Sequence, residues 1–466
     1  MLFHSYTFLA FLIVVIGLVA AAPQRWRRYI LLAGSYAFYA SWNSKYALLI
    51  AFSTLVDYYA ANRIKRAPTQ RTRKAFLVLS LATNLSLLGI FKYYNFFAFS
   101  LREYLSLQVP IHELLLPVGI SFYTFQSMSY TIDVYRRKID TAKDLVDFAL
   151  FVSFFPQLVA GPIVRAAEFL PQLARPLLFQ PDSVRLGLKL FLFGLFKKVV
   201  VADNLAIFVD SVHANPSAFS AGDLWVSAYA FAFQIYYDFS GYSDMAIGLA
   251  RIFGFKFPEN FHRPYCARNV SEFWRRWHIS LSSWLRDYLY IPLGGSRGGT
   301  IKTARNLMIT MVLGGLWHGA NWTFLAWGFL HGLFLGVHRI FTQSFANYPR
   351  AGRLMASPVM TPIFVLLTFH CWTLSMVLFR ASTITAGNSM LARMFFPGDA
   401  FAVSAWSTLA LCVVLYMLQI SQERRDLLAQ FDSFPMALRI TILVVGFWAM
   451  ILLKPEGTEP FLYFQF

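Results

Sequence analysis

Charge is scarce in this chain. Asp, Glu, Lys and Arg make up 14% of its 466 residues, against about 25% in a soluble globular domain. Acids are scarcer still, 23 against 41 Lys and Arg, for a formal net charge of +18. No polar stretch is long enough to form a soluble domain, and 57% of the residues are apolar. One aqueous core cannot bury that much apolar surface, which excludes a soluble enzyme, a disordered chain and a fibrous protein. Cysteine is sparse too. Cys266, Cys371 and Cys412 lie far apart with no Cys-x-x-Cys pair, so neither a disulfide framework nor a thiolate metal site is indicated. Zinc-finger spacing and RNA-binding aromatic signatures are missing. The basic surplus therefore points to cytoplasmic loops and not to nucleic acid. What remains is an all-α, polytopic membrane protein.

Apolar segments and their flanks give a topology. The first runs from about Tyr6 to Ala22. Ala20-Ala21-Ala22 resembles a cleavage site, but no Lys or Arg precedes the segment and Arg25, Arg27 and Arg28 follow it. That order argues against a signal peptide and places the N-terminus outside, with the cluster in the cytoplasm. Further spans are expected at about Tyr29–Ala40, Ala47–Ala61, Ala75–Phe91 and Leu114–Ile132. The loop Asn62 to Lys74 carries six basic residues and no acid, and Arg136, Arg137 and Lys138 follow the fifth span. The intervening loops are near neutral, so basic and neutral loops alternate through five crossings. Later apolar runs lie near Leu145–Ala160, Leu186–Val201, Leu224–Ala250, Leu307–Ile340, Pro362–Phe379, Phe401–Ile420 and Ile440–Leu453. The run Leu307–Ile340 has room for one long or two short spans, and roughly ten to twelve crossings are expected in all. The chain reads as one membrane domain, residues 1–466, with N-terminal spans in 1–140. Its tail, ending Pro460 to Phe466, reads as an interfacial aromatic anchor.

Residues 248–306 break the pattern, with ten basic residues against three acids amid dense Phe, Trp and Tyr. Amphipathic in-plane or re-entrant helices fit both properties. Within this stretch lies Trp274-Arg275-Arg276-Trp277-His278. On a continuous helix Trp274 and His278 share a face, leaving Arg275 and Arg276 to meet lipid headgroups or a cofactor phosphate. Upstream, Asp238 and Asp244 interrupt an apolar run. Acids at such depth either pair with a nearby cation or helix N-terminus, or face a polar channel.

The strongest constellation, within residues 307–340, is Gly314-Gly315-Leu316-Trp317-His318-Gly319-Ala320-Asn321-Trp322, followed by Trp327, His331 and His338. Glycine lets backbone or ligand approach closely, and an imidazole exchanges protons near neutral pH. Asn321 and Trp322 lie about one turn from His318 as candidate cavity walls. A lone intramembrane histidine is ordinarily a helix-packing contact; flanking glycines and a second histidine, His278, favour chemistry. His331 follows His318 by 13 residues, about 220° around a straight helix, and so faces away unless the helix breaks. No metal site is expected, since HExxH and carboxylate partners are lacking.

Together these segments resemble the membrane-bound O-acyltransferase family, in particular its branch acting on alginate, cellulose and peptidoglycan. The matching stretches are Leu116 to Tyr123, Leu158 to Pro162, Tyr237 to Gly248, Phe273 to Gly295, Leu313 to Trp322 and Pro460 to Phe466. The resemblance implies membrane helices ringed around a central tunnel. It implies catalytic roles for His318 and His278; Trp274, Arg275, Arg276, Trp277, Asn321, Trp322, Asp238 and Asp244 stand beside them as donor or tunnel-lining candidates. The implied reaction carries acetyl from a cytoplasmic donor, acetyl-CoA, across a bacterial inner membrane to an exopolysaccharide, with no resident cofactor. No soluble esterase-like domain or nucleophile elbow is read in the chain. A periplasmic SGNH or esterase-like partner and a polysaccharide synthesis complex are therefore expected beside the membrane lipids. Peptidoglycan acetylation, a glycan or acyl transporter and a non-catalytic scaffold are the rival readings; a transporter would show internal symmetry, and none is seen.

Overall fold

The computed structural model describes residues 1–346, 348, 357–396, 402–422, 427–455, 461 and 462. Among them the regular structure is helical, with no strand. They divide into two compact units, Met1–Gly194 with Tyr242–Glu259, and Leu195–Gly241 with Asn260–Phe466. The long helix Ala221–Ile252 contributes residues to each.

In the first unit the expected spans become the helices Tyr6–Ala21, Gln24–Ala40, Ser44–Arg66, Gln70–Leu88 and Ile120–Tyr135. Polar residues written into the loops start several of them. Ser5, Asn43 and Thr69 each accept a backbone N–H from the first turn, satisfying donors that a helix start leaves orphaned. Two boundaries differ from the sequence reading. The fourth helix does not stop near Phe91. A π-helical turn at Gly89–Tyr93 absorbs Lys92, and the helix resumes as Tyr94–Leu105; such a turn takes in an extra residue without ending the helix. The fifth starts at Ile120 and not Leu114, after Pro117 and a left-handed Gly119 (φ 76°). A Cβ at Gly119 would stand 2.5 Å from the Leu158 carbonyl oxygen, so the Leu-Pro-Val-Gly and Leu-Val-Ala-Gly-Pro stretches require each other sterically.

One acid inside these spans escaped the sequence reading. Asp57 is buried on Ser44–Arg66 and takes hydrogen bonds from Ser80 Oγ (2.6 Å), Asn84 Nδ2 (2.9 Å to each oxygen) and Ser127 Oγ. A carboxylate so deep is tolerated because its lone pairs are filled, and in being filled it ties three helices together.

In the second unit the run Leu307–Ile340 resolves into two helices, Thr300–His318 and Trp322–Ala346. The run Leu186–Val201, shared between the units at Gly194 and Leu195, lies in Pro181–Phe196 and the π-helical segment Lys197–Ala202, and Asp203–Ala214 follows. By length and apolarity, the helices Gln70–Leu105, Trp322–Phe345 and Met360–Arg380 suffice to cross a membrane, and Tyr6–Ala21, Trp406–Gln422 and Met436–Leu452 are shorter apolar helices.

Candidate active site

The second unit contains both histidines singled out above. His318 closes the helix Thr300–His318, and Gly319 follows in extended backbone (φ −161°, ψ 153°). Asn321 then restarts the chain. Its side-chain oxygen accepts the Thr323 N–H at 3.0 Å, and its amide donates to the Ser382 carbonyl at 3.1 Å. Asn321 is thus a helix cap. The two helices cross closely because Gly315 and Gly328 have no side chain. A Cβ at Gly315 would collide with the Phe324 carbonyl oxygen, and one at Gly328 with that of Met311.

His318 is 5% exposed. Trp317, Trp327 and Phe379 meet its ring edge-on, with centroids 5.1, 5.1 and 5.3 Å away. The helix does break before His331, whose ring lies 4.6 Å from the same Trp327 and whose Nε2 is 3.0 Å from Ser375 Oγ. Trp322, expected to wall the cavity, is 44% exposed; at the first position of its helix it is carried outward, and Trp317 and Trp327 take the place foreseen for it.

His278 and Trp274 do not share a helix face. The helix Val270–Arg276 ends before Trp277, and His278 adopts left-handed backbone (φ 42°, ψ 55°). Such a conformation costs a non-glycine residue about 1–3 kcal/mol and is held from both sides. His262 N–H donates to the Arg276 carbonyl at 2.8 Å, Ile279 N–H to the Asn260 carbonyl at 2.9 Å, and Ser280 Oγ to Asn260 Oδ1 at 2.8 Å. Trp274 turns instead to His331 (5.3 Å) and Trp327 (5.8 Å). His278 faces Phe239 at 4.6 Å and Trp317 at 5.8 Å. Trp317 therefore touches both imidazoles. Trp277 is buried against Trp372 (4.5 Å) and Phe261 (5.0 Å). Arg276 does not reach out to headgroups, because its guanidinium lies 2.7 Å from Glu272 one turn back; Arg275 is exposed.

Asp238 takes the paired role rather than facing a channel alone. Its Oδ1 lies 2.7 Å from Lys198 Nζ, which is also 2.8 Å from Asp203 Oδ1, and all three side chains are buried. Its Oδ2 accepts the Leu462 N–H at 2.8 Å. Lys198 was legible in principle, as a lysine inside an apolar run requires an acid. Asp244 is half-buried and belongs to the other unit. In the tail, Phe461 and Leu462 are buried at 2% and 4% exposure, with Phe461 against Phe239 at 5.6 Å. These two residues are tail packed into the protein and not an interfacial anchor; Pro460 and residues 463–466 lie outside the described residues. Gly294 to Gly298 matches the Gly-x-Ser-x-Gly spacing of a nucleophile elbow, but it is a turn after the π-helical segment Arg286–Tyr290, and an elbow needs a strand before it.

Polar atoms concentrate in this aromatic shell. Nε1 of Trp274 and of Trp327 is buried without a hydrogen-bond partner. Nearby, a cavity of about 350 Å³ is lined by Asp210, His213, Arg380 and Ser382 among others. Phe379, on His318, and Ser382, on Asn321, bracket its Arg380.

Two imidazoles joined by one indole, in a membrane protein, suit base-assisted transfer of a small group. A family model described as MBOAT, membrane-bound O-acyltransferase family, matches residues 29–380. The chain belongs to the membrane-bound O-acyltransferase family. It is an O-acyltransferase and a polytopic membrane protein. Its relatives include proteins named probable alginate O-acetylase AlgI. That of Pseudomonas aeruginosa is 45% identical over 404 residues, covering 85% of this chain and 75% of that protein. That of Pseudomonas putida is 39% identical over 500 aligned positions, covering all of both. A peptidoglycan O-acetyltransferase of Helicobacter pylori is 38% identical over 398 residues, covering 80% of this chain and 73% of that protein. Of this acyltransferase's two candidate histidines, His318 lies inside the matched span, as does His278.

Proposed function

We propose that this O-acyltransferase carries acetyl groups from cytoplasmic acetyl-CoA through the bacterial inner membrane for O-acetylation of an exopolysaccharide of the alginate or cellulose type, with its N-terminus periplasmic. The observation that carries the reading is the shared contact of Trp317 with His278 and His318. It brings two imidazoles 40 residues apart in sequence into one buried site. The relatives named for alginate acetylation favour an exopolysaccharide over peptidoglycan, at 39% and 45% identity against 38%.

In the proposed reaction His318 removes the proton of an acceptor hydroxyl as that oxygen attacks the thioester carbonyl. The C–O bond forms, the C–S bond breaks, and the proton returns to the departing thiolate. His278 orients the donor or supports the developing oxyanion. The acceptor is the glycan itself or a hydroxyl of a periplasmic SGNH or esterase-like partner within the polysaccharide synthesis complex. The positive surplus of 248–306, ten basic residues against three acids, suits a mouth for the nucleotide phosphates, which cannot enter hydrocarbon. Purified protein in lipid nanodiscs with radiolabelled acetyl-CoA tests the donor. Release or transfer of label that depends on His318 supports the reading, and a His318→Ala protein as active as wild type overturns it.

A further inference from the structure

The first unit has a cavity of about 470 Å³ that plays no part in the reaction above. It is lined by Lys65, Arg73, Arg137, Lys138 and Asp140, with Val134 and Ile139 completing the wall. Asp140 belongs to Lys65: its two oxygens stand 2.6 and 2.8 Å from Lys65 Nζ. Three cations remain. Among the described residues no carboxylate pairs with Arg137 or Lys138.

Arg73 is the informative one. It is 7% exposed, donates from Nη2 to the Tyr135 carbonyl at 2.7 Å, and lies with its guanidinium carbon 5.7 Å from the Tyr135 ring. Its Nε is buried with no partner. A buried charged donor without an acceptor is costly, and the arginine that carries it helps to line a basic cavity. Arg137 adopts left-handed backbone (φ 59°). The turn is fixed by Arg137 N–H donating to the Val134 carbonyl at 3.1 Å and Lys138 N–H to the Asp133 carbonyl at 2.9 Å. It places two cations side by side on the rim. The positive-inside rule accounts for basic loops in general; it does not account for two of them converging on one cavity around an unsatisfied arginine.

The geometry points to a phosphoryl-binding site at this cavity, taking either the headgroup of an anionic phospholipid or a soluble phosphate ester. A phosphoryl group offers several acceptor oxygens and at least one negative charge, which suits convergent Arg and Lys donors better than a carboxylate's two oxygens do.

The test uses the full-length protein in neutral detergent with two probes. One is phosphatidylglycerol offered in an equal mixture with phosphatidylcholine and read by native mass spectrometry; the other is inorganic pyrophosphate read by equilibrium dialysis. The variants are Arg73→Lys, which removes the buried Nε, and the doubly exposed change Arg137→Gln with Lys138→Gln, which leaves the buried contacts alone. Selective retention of phosphatidylglycerol identifies a lipid site, and pyrophosphate binding a soluble one. In either case each variant weakens binding about tenfold, the loss expected for one charge-assisted hydrogen bond. The proposal is overturned if phosphatidylcholine is held as well as phosphatidylglycerol and pyrophosphate binds wild type no better than the double variant. Acetyl transfer from acetyl-CoA is not read in this experiment, so its outcome is separate from that of the proposed function.

Discussion

The imidazole of His318 stands 5.1 Å from the indole of Trp327, with the two rings at 88°. Edge-to-face contact of this kind fixes ring direction as well as position. Trp327→Leu removes the wall and lets the imidazole swing. Acyl transfer should fall about 10²-fold, the scale of a small misplacement at a reacting centre, while Trp327→Phe, which keeps a ring, should retain most of it. Turnover of labelled acetyl-CoA by both variants at equal membrane abundance decides this; equal activity of the two would remove any positioning role for Trp327.

His318→Ala should lower acyl transfer by about 10²–10⁴-fold, the usual contribution of a general base, without loss of protein from the membrane fraction. His278 allows a sharper separation of chemistry from folding. Its backbone is left-handed, which glycine accepts and alanine resists. His278→Gly should therefore melt higher than His278→Ala, yet both should lose transfer to the same extent. If activity followed stability across this pair, the imidazole would be a packing element only.

Lys198 is held between Asp203 and Asp238. Lys198→Met would leave two carboxylates buried without a cation, a change that costs about 3–5 kcal/mol when one partner of a buried pair is removed. The same variant with Asp203→Asn and Asp238→Asn removes the charge altogether and should recover much of the loss. Thermal unfolding in detergent checks both. A single variant as stable as wild type would mean that the three groups do not share charge as described.

The sequence made the apolar segments and the five N-terminal helices legible because apolar runs and basic flanks are local signals. His318 and His278 stood out for the same reason, each beside an unusual tripeptide. Helix periodicity misleads wherever the chain does not run on as one continuous helix. Periodicity sets Trp274 and His278 on one face, but the helix ends at Arg276 and His278 is left-handed. Trp322 was placed at the cavity because it follows His318 closely, whereas the break at Gly319 to Asn321 carries it outward and brings Trp327 in. Asp57 and Lys198 were passed over because single charges in apolar runs become meaningful only when donors from other helices, such as Ser80, Asn84 and Ser127, are seen around them.

Helix crossing supplies the last prediction, with its control on the same helix. At Gly328 a Cβ would collide with the Met311 carbonyl oxygen, whereas at Gly336 the nearest atom to an added Cβ is Ala304 Cβ at 3.8 Å, an ordinary contact. Gly328→Ala must therefore push the helices Thr300–His318 and Trp322–Ala346 apart. Overpacking of this kind typically costs about 1–3 kcal/mol, and separation of the two helices also separates His318 from Trp327. Gly336→Ala meets no such obstacle and should gain about 0.5–1 kcal/mol from helix propensity. Gly328→Ala is thus expected to lower both the melting temperature and acyl transfer, and Gly336→Ala to leave transfer intact at an equal or higher melting temperature. Similar behaviour of the two variants would show that the close crossing does not hold the aromatic wall against the histidine.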